Sequence, residues 1–167
     1  MPREDAAASR EMIMANVKPI PDGSHSVTAG LIVKDTRRAI DFYKKAFGAT
    51  ELGVMPAPDG KIMHAEIKIG DTKIYINDEI MGATSPQSLG GSTVTLNIYT
   101  EDCDTMFERA INAGATVKNP MADAFWGDRY GTLVDPYGHV WGIMTHKEDV
   151  SNPEMERRMK EQFAGRH

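Results

Sequence analysis

The stretch VTAGLIVKD (residues 27–35) decides the fold, because a stretch of the same design, VTLNIYTED, recurs at residues 94–102. The aspartates that end the two stretches, Asp35 and Asp102, are 67 positions apart. Each stretch leads into a helical pattern that closes on the tripeptide Gly-Ala-Thr. A repeat of this length is too long for a solenoid unit. The sequence therefore predicts one module that has been duplicated.

Each copy predicts the element order β-α-β-β-β. In the first copy, alternating apolar residues and turn signals predict strands at 27–33, 51–55, 62–69 and 72–77, with a helix between Asp35 and Gly48. In the second copy, they predict strands at 94–99, 116–121, 129–134 and 139–145, with a helix between Asp102 and Gly114. We therefore predict an α+β fold of two tandem βαβββ modules, whose curved mixed sheets surround a concave cavity.

The rest of the chain divides around these copies. We predict an N-terminal extension (1–24), a single domain (25–148) and a charged helical tail (149–167). Within the domain, module one covers 25–78 and module two covers 93–148. The Gly- and Ser-rich segment between them, 79–92, is predicted to be either a functional or mobile loop or a plain connection between the modules.

Composition excludes several classes of function. The net charge is −5 and no basic stripe is present, so we predict no nucleic-acid partner. The single cysteine, Cys103, forms no internal disulfide, which fits a reducing compartment. No run of about 18 apolar residues is present, so we predict no membrane span. The N-terminus lacks the apolar core of a secretory signal, and we predict a cytoplasmic protein.

Five segments carry a resemblance to a known family: LIVKD (31–35), AIDFYKKAFGA (39–49), HAEI (64–67), GDRYGT (127–132) and DPYGHVW (135–141). In these segments the chain resembles the vicinal oxygen chelate superfamily, which includes glyoxalase I, extradiol dioxygenases and the fosfomycin and bleomycin resistance proteins. The last segment is the most specific, and it is similar to the PhnB-like branch. The resemblance implies paired βαβββ modules that usually assemble as a homodimer.

The resemblance also implies where a divalent metal would be held, on the first and last strands of each module. These positions fall on Thr28 and Thr95, on Gly142, and on Tyr75 or Ile76. Divalent metals of this class are bound by imidazole and carboxylate donors, and none of these five residues supplies one. We therefore predict no metal at the usual site and no cofactor.

His64 and Glu66 are two apart on a predicted strand, so their side chains point to the same face. One interpretation is a polar pair at the rim of a pocket or on an open sheet face. The other is a shifted site at which the pair binds a metal or acts in acid–base catalysis, which would require a third group.

The aromatic pair Phe125 and Trp126 precedes a predicted strand, and it suits stacking against a flat ligand. The alternative is that these rings close the core while Asp128 and Arg129 anchor the loop. His139 and Trp141 alternate with Gly142 along the last strand, so we predict that they pack toward the helices rather than line the cavity.

The sequence favours a binding protein of the bleomycin-resistance type, which holds an apolar or aromatic small molecule without metal. The alternative is a lyase, isomerase or dioxygenase that uses the shifted site around His64 and Glu66. The predicted ligand-contacting residues lie on strand faces that line the predicted cavity, or around the loop that precedes the strand 129–134. They are Thr28, His64, Glu66, Thr95, Asn97, Phe125, Trp126 and Arg129.

Overall fold

The computed structural model describes residues 17–164, so positions 1–16 of the predicted extension and 165–167 of the predicted tail lie outside the described residues. The first module contains β1 (Gly30–Val33), α1 (Thr36–Phe47), β2 (Thr50–Pro56), β3 (Ile62–Ile69) and β4 (Thr72–Asp78). A short helix, α2 (Pro86–Leu89), precedes the second module, which contains β5 (Thr95–Tyr99), α3 (Cys103–Ala113), β6 (Thr116–Asp123), β7 (Asp128–Val134) and β8 (Val140–His146). The helix α4 (Asn152–Phe163) follows.

Each module folds into one four-stranded mixed sheet. The strand orders are β1-β4-β3-β2 and β5-β8-β7-β6. In each sheet the first strand pairs in parallel with the last, and the other pairs are antiparallel. The predicted α+β fold of two βαβββ modules is confirmed, and the two sheets are curved and open.

The first strand is shorter than predicted. It begins at Gly30 rather than at residue 27, because its parallel register with β4 starts at the pair Gly30 and Tyr75. Ala29 adds a single backbone bond, in which its carbonyl accepts from Tyr75 at 2.9 Å. Val27 lies beyond this pairing and is 86% exposed.

The same local signals set both long helices. Asp35 accepts from the backbone N–H of Arg38, and Asp102 accepts from that of Thr105, so each aspartate caps the first turn of its helix. Gly48 and Gly114 end the helices with φ of 69° and 117°. Residues with a Cβ rarely adopt this left-handed conformation, which explains the glycines.

The two modules are joined by a core that lies on the helix side of both sheets. The helices α1 and α3 contact each other. An aromatic cluster crosses between the modules, with Trp141 of β8 in contact with Phe47 and Tyr43 of α1 at ring-centroid distances of 4.7 and 5.5 Å. Trp141 is 1% exposed, which confirms the prediction that it packs on the helix side.

The buried carboxylate of Asp135 connects the same two modules. Its oxygens accept from the Tyr43 hydroxyl at 2.7 Å, the Trp141 indole N–H at 2.9 Å, and the backbone N–H groups of Tyr137 and His139 at 2.9 Å each. Burial, followed by the nearby Asp135 carboxylate, raises the pKa of Tyr43 well above its ordinary value, so the hydroxyl keeps its proton. The most specific segment of the family resemblance is therefore a structural anchor.

His139 is nearly buried, but its contact is with β1 rather than with a helix, and it also lines a groove of about 480 Å³ beside α2. The side chain is 9% exposed, and its Nε2 lies 3.1 Å from the backbone oxygen of Ile32 on β1. This contact crosses from the second module to the first. The His139 side chain therefore helps to hold the two modules together.

The segment between the modules is held at several points. Glu79 accepts from the backbone N–H and the hydroxyl of Ser85 at 2.8 and 2.6 Å, and hydrogen bonds led by the Ser85 hydroxyl lower the pKa of Glu79 to about 2. The Gln87 side chain donates to the backbone oxygen of Pro136 at 2.8 Å. These contacts fix the segment against itself and against the second module; whether it is a plain connection or a functional loop stays a prediction.

Candidate functional site

The side of each sheet that faces away from the helices is open, and it carries the polar side chains. On the first sheet, His64 and Glu66 of β3 share this face with Lys73 and Tyr75 of β4. The alternating residues on the other side, such as Ala65, are buried. We call this the first open face.

The corresponding surface of the second sheet is built by β5, β8 and β7. The register pairs Asn97 with Gly142, Tyr99 with Met144, and Met144 with Tyr130. These residues therefore share one side of the sheet, which we call the second open face. No hydrogen bond or ring contact among residues 17–164 joins the predicted site residues of one open face to those of the other.

Three charged or titratable side chains form a connected cluster on the first open face. His64 Nε2 lies 3.3 Å from Glu66 Oε1, and Lys73 Nζ lies 3.1 Å from Glu66 Oε2. The Tyr75 ring packs edge-on against the His64 ring at 5.0 Å. Hydrogen bonds from Lys73 and His64 lower the pKa of Glu66, so the carboxyl group is ionised and paired near neutral pH. It is an acceptor, not a proton donor.

The register also identifies which residue of β4 corresponds to Gly142. Gly30 pairs with Tyr75 in the first sheet as Asn97 pairs with Gly142 in the second. Ile76 is 0% exposed and belongs to the core. Of the two candidates that the sequence left open, Tyr75 is therefore the one on the open face.

The place next to Gly142 is already filled. A Cβ at this position would overlap the Asn97 amide oxygen and would lie 2.9 Å from Tyr130 Cε2. Thr95 lies two pairs away, opposite Val140, and Thr28 precedes β1. A hydroxyl and an amide are poor donors to a divalent metal, and no larger side chain fits at Gly142 without displacing Asn97. The residues present do not fit the metal that the superfamily implies.

The other described positions offer no metal site either. Within residues 17–164, no group of three or more His, Cys, Asp and Glu side chains is arranged to hold a metal ion. His64 and Glu66 lack a third such group.

A buried carboxylate organises the aromatic end of the second open face. Asp128 is 4% exposed and accepts from the Trp126 indole N–H at 2.9 Å and the Tyr99 hydroxyl at 3.1 Å. His146 Nδ1 lies 2.7 Å from its other oxygen. Burial raises the pKa of Asp128, but hydrogen bonds led by His146 outweigh it and hold the pKa below the ordinary value. The group is therefore a fixed anion that orients three rings.

Trp126 lies at the centre of a row of aromatic rings. It packs edge-on against Phe125 at 5.0 Å and against Tyr130 at 5.7 Å. The three side chains are partly exposed, so the row presents ring surface to solvent. Such a row can pack against a flat apolar ligand.

Arg129 lies on the other side of the sheet. Its guanidinium contacts Asp104 of α3 at 2.6 Å and Asp123 of β6 at 3.2 Å. Successive residues on a strand point to opposite faces, so Asp128 and Arg129 do not pair with each other. Arg129 therefore anchors α3 and β6, away from the second open face.

Two grooves follow the boundary between the unpaired edges of β1 and β5. One, of about 480 Å³, lies beside α2; the other, of about 640 Å³, is lined by Asn97 and Tyr99 together with apolar residues such as Leu96 and Trp141. Both grooves include Ala29. Asn97 is thus reached from this boundary as well as from the open face.

The comparisons with known proteins agree with this geometry. A family profile described as "Glyoxalase/Bleomycin resistance protein/Dioxygenase superfamily" matches residues 24–143. The chain belongs to this superfamily. An uncharacterized protein of Mycobacterium tuberculosis, Rv0887c, is 42% identical over 155 residues, which cover 90% of this chain and 88% of that one.

Solved structures of the superfamily share the fold. TioX from Micromonospora sp. ML1 superposes with a TM-score of 0.58 at 27% identity, over 77% of this chain and 100% of TioX. A putative 3-demethylubiquinone-9 3-methyltransferase, PhnB protein, from Bacillus cereus gives 0.58 at 17% identity, over 72% of this chain and 99% of that one. At 17% identity the PhnB likeness concerns the fold alone.

The sequence analysis did not identify several residues of the second open face. Tyr99, Tyr130 and His146 were not among the predicted site residues. Alternation along β7 from Asp128 would have placed Tyr130 on the same side as the carboxylate. The contact between Asp128 and His146 depends on the pairing of β7 with β8, which the sequence does not specify residue by residue.

His146 links the second open face to the start of the tail. Its Nδ1 faces Asp128, and its Nε2 lies 3.0 Å from Asp149 Oδ1. Hydrogen bonds to Asp128 and then Asp149 raise the pKa of His146. Both ring nitrogens can donate only in the protonated imidazole. The charged form is therefore the one that makes both contacts.

Raising the pH is expected to remove the stabilisation that His146 supplies. Because the folded-state pKa is raised, the contribution is complete below the unfolded value of about 6.5 and is lost as the pH rises through the folded value. Urea unfolding of the wild type and His146→Gln, followed from about pH 5 to pH 9, should give curves that converge at high pH. His25→Gln is the control, since the exposed His25 makes no hydrogen bond among the described residues. A difference that grows with pH would contradict the assignment.

None of the helices described between residues 17 and 164 has the length and apolar character of a membrane-spanning segment.

Proposed function

We propose that the protein is a metal-independent small-molecule binding protein of the bleomycin-resistance type, which sequesters an apolar or aromatic ligand in the cytoplasm. The observation that carries the proposal is the occupation of the space beside Gly142 by Asn97 and Tyr130. It lies on the same face as the aromatic row around Trp126. A site with ring surface and without metal donors favours binding over metal chemistry.

We further propose that two copies assemble as a homodimer, with open faces contributing to the ligand site. Exposed apolar side chains lie on or beside these faces, including Met55, which is 56% exposed, and Tyr99, which is 64% exposed. Val94, just before β5, is 61% exposed. A second copy would cover this apolar surface.

The enzyme alternative remains centred on His64 and Glu66. The ion pair with Lys73 keeps Glu66 ionised, and the raised pKa that a general acid requires is absent from this carboxyl group. The cluster therefore supports a polar wall for a ligand better than it supports acid catalysis. The binding proposal includes His64 and Glu66 as ligand-facing residues on this basis, together with Thr28, Thr95, Asn97, Phe125 and Trp126.

The proposal is tested with the neutral fluorescent probe N-phenyl-1-naphthylamine, added to the full chain with and without EDTA. We expect saturable binding that EDTA does not alter, because no metal takes part. Trp126→Ala should weaken the affinity at least about tenfold through loss of the central ring of the row. Sedimentation velocity of the same sample should give the mass of two copies.

Ile111→Ala is the matched control, since Ile111 is an apolar residue on α3 that is 39% exposed. This variant should bind the probe as the wild type does. Binding that Trp126→Ala and Ile111→Ala leave equally strong would contradict the proposed site. A stoichiometric metal in protein purified without added metal, lost in His64→Ala, would replace the binding proposal with the enzyme alternative.

A further inference from the structure

The Asn97 side chain is exposed, and its amide has no hydrogen-bond partner among residues 17–164. Its oxygen lies over the Cα of Gly142, where the absence of a Cβ leaves room for it. Among residues 17–164, no hydrogen bond to this amide is made by another side chain or by the backbone. The nearby amide of Asn119 differs, because it donates to the Thr132 hydroxyl at 2.6 Å. Asn97 thus has both a donor and an acceptor available at the sheet surface.

On the open face, no unpaired charge lies near Asn97, while in the groove that Asn97 also lines Asp71 has no cationic partner among residues 17–164. On the three strands β5, β8 and β7, the charged or titratable side chains of the second open face, apart from the tyrosines, are Asp128 and His146. Asp128 is buried beneath three hydrogen bonds, and His146 lies between Asp128 and Asp149. An anionic ligand would lose hydration here without gaining an opposite charge.

The aromatic rings next to Asn97 favour a flat ligand. The Tyr130 ring approaches Gly142 from β7, on the side opposite Asn97, and continues into the row through Trp126. A ring that packs along this row would bring its edge to the Asn97 amide. An amide pairs best with a group that offers an adjacent acceptor and donor.

We infer that Asn97 reads the edge of a neutral, planar heteroaromatic ligand that carries a lactam-type donor–acceptor pair, in the place where metal-dependent relatives hold their metal. This inference rests on the proposed binding function and specifies the ligand class of that site. Gly142 is the positioning residue, because only a glycine lets the Asn97 amide lie across β8.

The inference is tested with three probes of one ring size: 2-quinolinone, which carries the lactam edge; 2-methylquinoline, which lacks it; and quinoline-2-carboxylate, an anion. Binding to the full chain at neutral pH is followed by NMR through the side-chain resonances of Asn97 and Trp126. The wild type should bind 2-quinolinone most tightly and shift the Asn97 amide signals. The carboxylate should bind most weakly.

Asn97→Ala should weaken 2-quinolinone binding by about tenfold and leave 2-methylquinoline binding little changed. Gly142→Ala should weaken 2-quinolinone binding at least as much, because the new methyl group displaces the Asn97 amide and also meets Tyr130 Cε2 at 2.9 Å. The double variant should lose no more 2-quinolinone affinity than Gly142→Ala alone. Asn112→Ala on the exposed side of α3 is the matched control and should bind all three probes as the wild type does.

Equal affinity for 2-quinolinone and 2-methylquinoline, or an unchanged preference in Asn97→Ala, would overturn the inference. Failure of all three probes to bind would also overturn it. The proposed function is judged separately by the naphthylamine probe and Trp126→Ala. If that probe binds in a Trp126-dependent way while the lactam gains nothing, the ligand class is wrong and the binding function stands.

Discussion

Replacing Asp135 by Ala is expected to lower the free energy of unfolding by about 3–5 kcal/mol. The change removes the acceptor for the Tyr43 hydroxyl, the Trp141 indole N–H and two backbone N–H groups. The Tyr43 and Trp141 side chains are buried between the modules, so their donors lose a partner without gaining water, while the Tyr137 and His139 N–H groups belong to the turn that follows Asp135. A loss of this size is a large share of the stability of an ordinary domain, about 5–15 kcal/mol. Urea unfolding followed by circular dichroism measures it.

Two further variants grade this effect. Tyr43→Phe removes one of the four donors and keeps the ring packing, so it should cost about 1–2 kcal/mol. Asp41→Ala, at an exposed aspartate on α1, should change stability by less than about 0.5 kcal/mol. If Asp135→Ala were as mild as Asp41→Ala, the carboxylate would not be the anchor between the modules.

Replacing Gly127 by Ala is expected to cost about 2–4 kcal/mol. Gly127 has φ of +101°, which an L side chain rarely adopts, and a Cβ there would overlap the backbone oxygen of Glu148 and lie 2.9 Å from Val150 Cγ2. The Gly127 oxygen also accepts from the backbone N–H groups of Lys147 and Glu148. The substitution should therefore loosen the chain that follows β8 and disturb the neighbouring Trp126.

Hydrogen exchange at the amides of Lys147 and Glu148 tests this prediction, and both should exchange faster in Gly127→Ala. Gly60→Ala is the matched control, because Gly60 also has a positive φ, +86°, but has nothing within 4 Å of the added Cβ. It should cost about 1 kcal/mol from backbone strain alone. Equal losses at the two positions would contradict a steric role for the crossing at Glu148.

The sequence predicted the fold well, because each element has a local signal. Asp35, Asp102, Gly48 and Gly114 mark the helix ends, and alternation marks the strands. In the first copy, the element boundary that was predicted least accurately was the start of β1. Alternation extends to Val27, but the pairing with β4 stops near Ala29, and that limit depends on a partner distant in the chain.

The candidate site was harder to predict, since its contacts join strands far apart in sequence. Phe125 and Trp126 were singled out correctly as a pair of neighbouring rings, and whether they contact a ligand stays a prediction. Arg129 was grouped with them, but its partners Asp104 and Asp123 lie on other elements. That Asn97 lies over Gly142 follows from the register of β5 with β8, which no local pattern specifies.

The register gives the two halves of the molecule opposite side-chain sizes at equivalent places. In the first sheet the small residue, Gly30, is on the opening strand and the large one, Tyr75, is on the closing strand. In the second sheet the order is reversed, with Asn97 on the opening strand and Gly142 on the closing strand. The duplicated halves have thus diverged at this strand pair: the larger side chain lies on the last strand in the first half and on the first strand in the second half. The surfaces of the two halves therefore differ in chemistry. A ligand between them would contact two different surfaces and would have one preferred orientation.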